Sequence, residues 1–310
     1  MECEVVWDGF DAAQWDRVFA QVPRSTLLQA RGYADAVCPG LGQHARRGLV
    51  RIGADLAGLV QVQEASAIGG ALHAVILDRG PLWLPGFGTA AHVAAFFRRF
   101  SQEFPTRPGR RRRILPEAPG PIDAPGLRPV TNRPPYQTMW VDLTPDPDVL
   151  RRRLRPKWRN MLSRAEREGV TVRWDWTGRS LGAMLSQYAA DQQAKSYSGP
   201  APETVAAIAR RLAPAGAVGI GVAVHGDAAV AGMLVFLHGR AATYQVGWVD
   251  PAGRAVGANN LLLWSAMAEL KSRGIRDFDL GGVNDADAAG VKRFKEGIGG
   301  RLVTLAGQFR

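Results

Sequence analysis

Apolar residues recur along this chain at two different spacings. Trp15, Val18 and Phe19 fall on one side of a helix predicted from about Asp11 to Gln21, and Val93, Phe96, Phe97 and Phe100 do the same between Ala90 and Phe104. A shorter helix is expected around Gln29 to Val37. Alternation instead marks strands at Glu4 to Trp7, Arg47 to Ile52, Leu56 to Gln63 and Ala71 to Leu77, and Gly53-Ala54-Asp55 joins the second and third as a hairpin. The Asp78-Arg79-Gly80-Pro81 run is expected to end the fourth strand, and the basic segment Arg110 to Arg113 to lead into Ile114-Leu115.

Periodicity lapses between Pro116 and Pro135, where prolines occupy positions 116, 119, 121, 125, 129, 134 and 135. Proline lacks the amide proton that a helix interior or central strand needs, so an extended crossing segment is expected, with the domain boundary at its end. The first domain is therefore 1–135 and the second 136–299. The second half restarts with a strand, Thr138 to Leu143, and a basic helical stretch, Asp148 to Glu168, divided so that Pro156 opens its second helix and Gly169 stops it. There follow a strand (Val170 to Trp174), helices near Leu181 to Ala194 and Pro202 to Leu212, and strands Ala217 to Val224, Ala228 to Leu237 and Ala241 to Gly247. A helix (Ala258 to Ser272), a strand (Asp277 to Leu280), a helix (Ala288 to Glu296) and a strand (Arg301 to Ala306) complete the chain. Consecutive strands without strict alternation predict a mixed α/β (α+β) fold with mixed, mainly antiparallel sheets. The order within each half suits a tandem pair of acetyltransferase-like (GNAT) domains.

Composition narrows the setting. Of 310 residues 46% are hydrophobic, enough for a core in each half. Cys3 and Cys38 stand in no metal or disulfide spacing. The acidic start, Met-Glu-Cys-Glu, is unlike a signal peptide, and no apolar run nears the roughly 18 residues of a membrane span, so a cytoplasmic protein without a transmembrane segment is expected. Lys and Arg total 39 against 28 Asp and Glu, a net charge of +11 that attracts polyanions, although arginine-rich coding would give the same surplus. No GxxxxGK[ST] loop, HExxH or GxSxG occurs, and the histidines at 44, 73, 92, 225 and 238 stand singly, which disfavours P-loop nucleotide hydrolysis, zinc hydrolysis and serine esterase chemistry.

In Leu154-Arg-Pro-Lys-Trp-Arg-Asn-Met-Leu-Ser-Arg-Ala-Glu-Arg-Glu-Gly-Val170 a helix can present Lys157, Arg164 and Arg167 together, either as a phosphate grip or as a solvated face balanced by Glu166 and Glu168. This stretch, preceded by Val141-Asp142-Leu143, resembles the FemABX signature, in which a strand ending in Asp-Leu precedes "K-x-R-N-x-x-R-A-E-x-x-G-V". Gly257-Ala-Asn-Asn-Leu-Leu-Leu-Trp264, Gly274-Ile-Arg-Asp-Phe-Asp-Leu-Gly-Gly282 and Gly290-Val-Lys-Arg-Phe-Lys-Glu-Gly-Ile-Gly-Gly300 resemble the family's C-terminal helix, "Y-D-F-G-G" and "G-x-x-x-F-K-x-x-F-G-G". Leu27 to Tyr33 and Arg79-Gly80-Pro81 echo its N-terminal motifs. Ile298 stands in place of the usual aromatic, and Tyr33 in place of Trp.

The resemblance implies an acyltransferase that moves an amino acid from aminoacyl-tRNA to an amine acceptor such as a peptidoglycan precursor peptide. Contact with a lipid-linked precursor would then be peripheral, and residues 300–310 would return to the first domain. Lys295 is the expected catalytic residue, with Asp279, Phe294, Gly297, Lys195 and Tyr197 binding substrate. Lys157, Arg159, Arg164, Arg167 and Arg254 are expected to hold tRNA phosphates, with no metal and no cofactor beyond the tRNA cosubstrate. Asp279 could equally cap its own loop. Two other readings stay open: a coenzyme A-dependent N-acyltransferase using Arg254-Ala-Val-Gly-Ala-Asn259, which approximates the pyrophosphate loop Q/R-x-x-G-x-G/A, and a noncatalytic RNA-binding protein.

Overall fold

A computed structural model describes residues 1–283 and 289–310; the predicted start of the helix at Ala288 lies outside them. These residues form two compact units, one of 1–137 with 303–310, the other of 138–302.

In the first unit β1 (Cys3–Trp7), α1 (Ala12–Phe19), α2 (Arg31–Val37), β2 (His44–Ile52), β3 (Asp55–Ala67), β4 (Leu72–Gly80), β5 (Leu82–Trp83), α3 (Ala90–Glu103) and β6 (Arg110–Pro116) follow in order. The strands form a six-stranded sheet, β1-β2-β3-β4-β6, with β5 on β3. The aromatic stripe of α3 (Phe96, Phe97, Phe100) fills its core with Val50, Val62, Leu77 and Ile114. Two expectations need correction. β4 runs on through Asp78 to Gly80, because parallel pairing with β6 carries past the apolar residues (Asp78 with Leu115, Gly80 with Pro116) and its charges are neutralised by Arg113 and Glu117. Arg110 to Arg113 are the first half of β6 itself; an edge strand can carry charge on both faces.

The second unit contains β7 (Gln137–Asp142), α4 (Pro147–Arg153), α5 (Pro156–Arg167), β8 (Thr171–Asp175), α6 (Leu181–Lys195), α7 (Pro202–Leu212), β9 (Val218–His225) and β10 (Ala228–His238). Then come β11 (Ala241–Val249), α8 (Pro251–Val256), α9 (Ala258–Ser272), β12 (Asp277–Gly282), α10 (Ala289–Glu296) and β13 (Arg301–Thr304). Its sheet has the order β13-β7-β12-β11-β10-β9-β8. β11 and β12 run parallel, while β8 to β11 pair antiparallel with their neighbours, and so do β12 and β7. The apolar faces of α5 (Trp158, Leu162, Ala165) and α9 (Leu262, Leu263, Ala266) close the core over Met233, Phe278 and Leu280. The fold is thus mixed α/β, with two mixed sheets.

β13 edges the second sheet, and the chain then reaches the first unit's core. Leu305 bridges to Pro119, and Phe309 bridges to Ile114 and Pro129. Phe309 is buried in the cluster that holds α3.

Candidate active site

The sheet of the second unit opens where β11 and β12 part. They pair only over Ala241–Thr243 with Asp277–Asp279, although β11 runs on to Val249 and β12 to Gly282. Each strand carries an irregularity that turns it away. On β11, Leu234 faces Val246 but Val235 faces Tyr244, so Gln245 is an extra residue; β12 shifts register against β7 between Asp279 and Gly282. An extra residue bends its strand and raises the local twist. Beyond Thr243 the two strands leave the ladder between them, and a parted edge offers backbone donors and acceptors to a ligand.

Lys295 reaches into this region from α10. It is only 8% exposed, and its Nζ donates to the carbonyl of Gly282 at 2.9 Å and lies 5.9 Å from the centre of the Tyr244 ring. A Cβ at Gly281 would sit 3.8 Å from that Nζ, in van der Waals contact with it. Asp279 lies below the same turn: buried, it accepts from the Gly281 amide at 2.9 Å and from the Thr138 hydroxyl, so it shapes the loop that meets Lys295.

Phe294 and Gly297 anchor α10. The Phe294 ring sits 5.9 Å from that of Trp158, and a Cβ at Gly297 would collide with the Trp158 indole. The Arg155 amide donates to the Gly297 carbonyl at 2.9 Å. These contacts tie the lysine-bearing helix to α5.

Tyr244, which sequence reasoning missed, links Lys295 to the other predicted substrate residues. Its hydroxyl lies against Gly247, where any Cβ would meet it. Burial first, then the charges of Asp191 and Tyr188, push its pKa up, so it remains a neutral donor. Around Asp191 gather Lys195, as an ion pair, and Tyr197, whose hydroxyl donates to Asp191 at 3.3 Å; Lys195 also donates to the Val249 carbonyl at 3.1 Å. The signal for Tyr244 was present: Thr243-Tyr244-Gln245 interrupts an otherwise apolar strand where the bulge falls.

Lys157, Arg159, Arg164 and Arg167 are all exposed on α5, Arg164 lying 3.7 Å from Glu168. Arg254 is exposed on α8, which packs on α5. The Arg254 to Asn259 run spans the end of α8 and the start of α9, and the start of α9 is turned toward α5. Gly257 (φ +77°) has no room for a Cβ beside the Met161 carbonyl, and Asn260 Nδ2 donates to the Trp158 carbonyl at 3.5 Å.

Residues 150–296 match the family described as "Acetyltransferase (GNAT) domain". The second unit is therefore an acyltransferase domain of the GNAT type, and the chain is an enzyme of that class. Over its whole length the chain is similar to FemX, with a TM-score of 0.79, 15% identity, and coverage of 100% of this chain and 96% of that one. It is also similar to L-PGS from Bacillus licheniformis (TM-score 0.53, 14% identity, 96% of this chain and 90% of that one). A third likeness is the C-terminal domain of a putative lysylphosphatidylglycerol synthetase from Agrobacterium fabrum (TM-score 0.51, 15% identity, 96% and 91%). No curated protein matches the chain in sequence. The FemABX resemblance carried by the motifs is thus matched by a FemX-like fold.

Proposed function

We propose that the protein transfers an amino acid from aminoacyl-tRNA to an amine, the acceptor being a peptidoglycan precursor peptide or a similar amine-bearing molecule. The observation that carries this reading is Lys295, held at low exposure at the opening between β11 and β12. In the reaction the amine attacks the ester carbonyl, the ester C–O bond breaks as the amide C–N bond forms, and the amine's proton passes to the departing ribose oxygen. Charge develops on the carbonyl oxygen in between, and a fixed ammonium with a neutral phenol beside it is suited to stabilise it. Tyr244, protonated far above neutral pH, is the phenol available for that role. The exposed cations of α5 and Arg254 supply a surface for the tRNA backbone.

The family match also suits a coenzyme A thioester as donor. The start of α9 is poorly made for its pyrophosphate, because the carbonyls of Trp158 and Met161 face that helix end and would repel phosphate oxygens. Incubation with radiolabelled aminoacyl-tRNA and a set of amine acceptors decides between donors. Label transfer abolished by prior ribonuclease treatment is expected; transfer from acetyl coenzyme A alone would overturn the proposal.

A further inference from the structure

At one end of the six-stranded sheet, the tip of the β3–β4 hairpin holds two aliphatic side chains in the open: Ile68 is 76% and Leu72 47% exposed. Ile68 also has φ of +51°, a conformation that crowds a β-branched side chain against its own backbone. Folding therefore bears a strain at Ile68 that burial does not repay. Strain held at an exposed apolar tip points to function.

The same end of the sheet is basic. The His73 amide donates to the Gly109 carbonyl at 2.9 Å, and His73 and Ala74 pair with Arg110 and Arg111, so the hairpin tip lies beside the turn that opens β6. Arg107, Arg110 and Arg111 are exposed, and neither 65–73 nor 104–113 contains an acidic residue. Several other arginines of this unit are neutralised locally, as Arg113 is by Asp78 and Arg79 by Glu117.

We propose that this tip docks on an anionic lipid bilayer, Ile68 and Leu72 entering the acyl boundary while Arg107, Arg110 and Arg111 bind headgroup phosphates. The side-chain chemistry favours a bilayer over RNA. Aliphatic side chains gain by leaving water for the membrane interface, whereas single-stranded nucleic acid is held on aromatic platforms, and neither Ile68 nor Leu72 provides one. The inference does not depend on the acyl donor.

Cosedimentation of the full chain with vesicles tests it, using phosphatidylcholine alone and phosphatidylcholine mixed with phosphatidylserine. The parent should pellet with the mixed vesicles and release at high salt. Replacing Arg107, Arg110 and Arg111 with Gln should lower partitioning by about five-fold per arginine. Ile68→Asn gives two readouts, because asparagine tolerates positive φ: the melting temperature should rise while partitioning falls by at least about four-fold, the worth of a single buried methylene, isoleucine having more than one to lose. Three results would each overturn the proposal. One is equal binding to neutral and anionic vesicles, or none to either. Another is an Ile68→Asn chain that melts higher and partitions like the parent. The last is an arginine triple variant whose vesicle binding is unchanged, whether or not it loses tRNA binding.

Discussion

Changing Lys295 to Met removes the ammonium and keeps most of the aliphatic stem. The carbonyl of Gly282 loses one donor, which costs about 1–3 kcal/mol of stability at most. Turnover should fall by about one to three orders of magnitude, the scale of losing one oxyanion-stabilising group. A variant that melts near the parent and transfers at the parental rate would remove Lys295 from the chemistry. A second residue-scale prediction concerns alkaline pH. Burial, then the charge of Asp191, raises the pKa of the Tyr188 phenol from 10.0 to about 12. A raised acid pKa means that the unfolded chain loses its proton first, so this contribution to stability is intact below about pH 10 and is lost between about pH 10 and 12. Urea midpoints measured at pH 9 and 11 should drop less for Tyr188→Phe than for the parent; an equal drop would show that Tyr188 ionises as it does in the unfolded chain. Lys295 was legible because its motif is local in sequence. Asp191 was not, and Tyr244 showed only as part of a polar interruption of its strand, since what gives both their meaning is a bulge and a neighbouring helix, both set by tertiary packing.

At the scale of elements, α5 joins two roles. Its buried side holds α10 through Trp158, and its outer side displays Lys157, Arg159, Arg164 and Arg167. Replacing Arg164 and Arg167 with Ser leaves the buried side alone and should weaken polyanion binding, flattening the log–log salt dependence by about 0.7 to 0.9 for each phosphate that the helix no longer neutralises. An unchanged slope would make these arginines ordinary surface charges; the proximity of Glu168 makes Arg164 the weaker contributor of the two. Helix α3 is legible in the sequence because its apolar stripe is long enough to show a period, and α5 because Pro156 and Gly169 bracket it. α8 is not, since its six residues complete fewer than two turns, although Asp250-Pro251 carries its cap, with the Gly253 amide on the Asp250 carboxylate at 2.6 Å. β4 reads too short for a different reason: its last residues owe their strand geometry to pairing with β6, not to their own composition.

For the molecule as a whole, the mixed α/β class and the kinship with acetyltransferase-like folds were visible in the order of elements, while the opening between β11 and β12 was not. The alternation of either strand suggests a full neighbour, and only the registers show where pairing stops. The path of the chain also bears on how it is made. The first unit is interrupted after Gln137 and resumes at Val303, and its core includes Phe309. During synthesis, at about 5–20 residues per second, its early strands must wait on the order of ten seconds or more for that phenylalanine. The second unit, continuous in sequence, is complete before then. Phe309→Ala should therefore lower the first unit's stability by about 3–5 kcal/mol and leave the second unit's hydrogen-exchange protection unchanged. Nascent chains that end at Leu302 and are stalled on an added C-terminal linker long enough to bring Leu302 out of the ribosome should resist protease across the second unit and be cut in the first, so the half that begins emerging first is the half that finishes folding last.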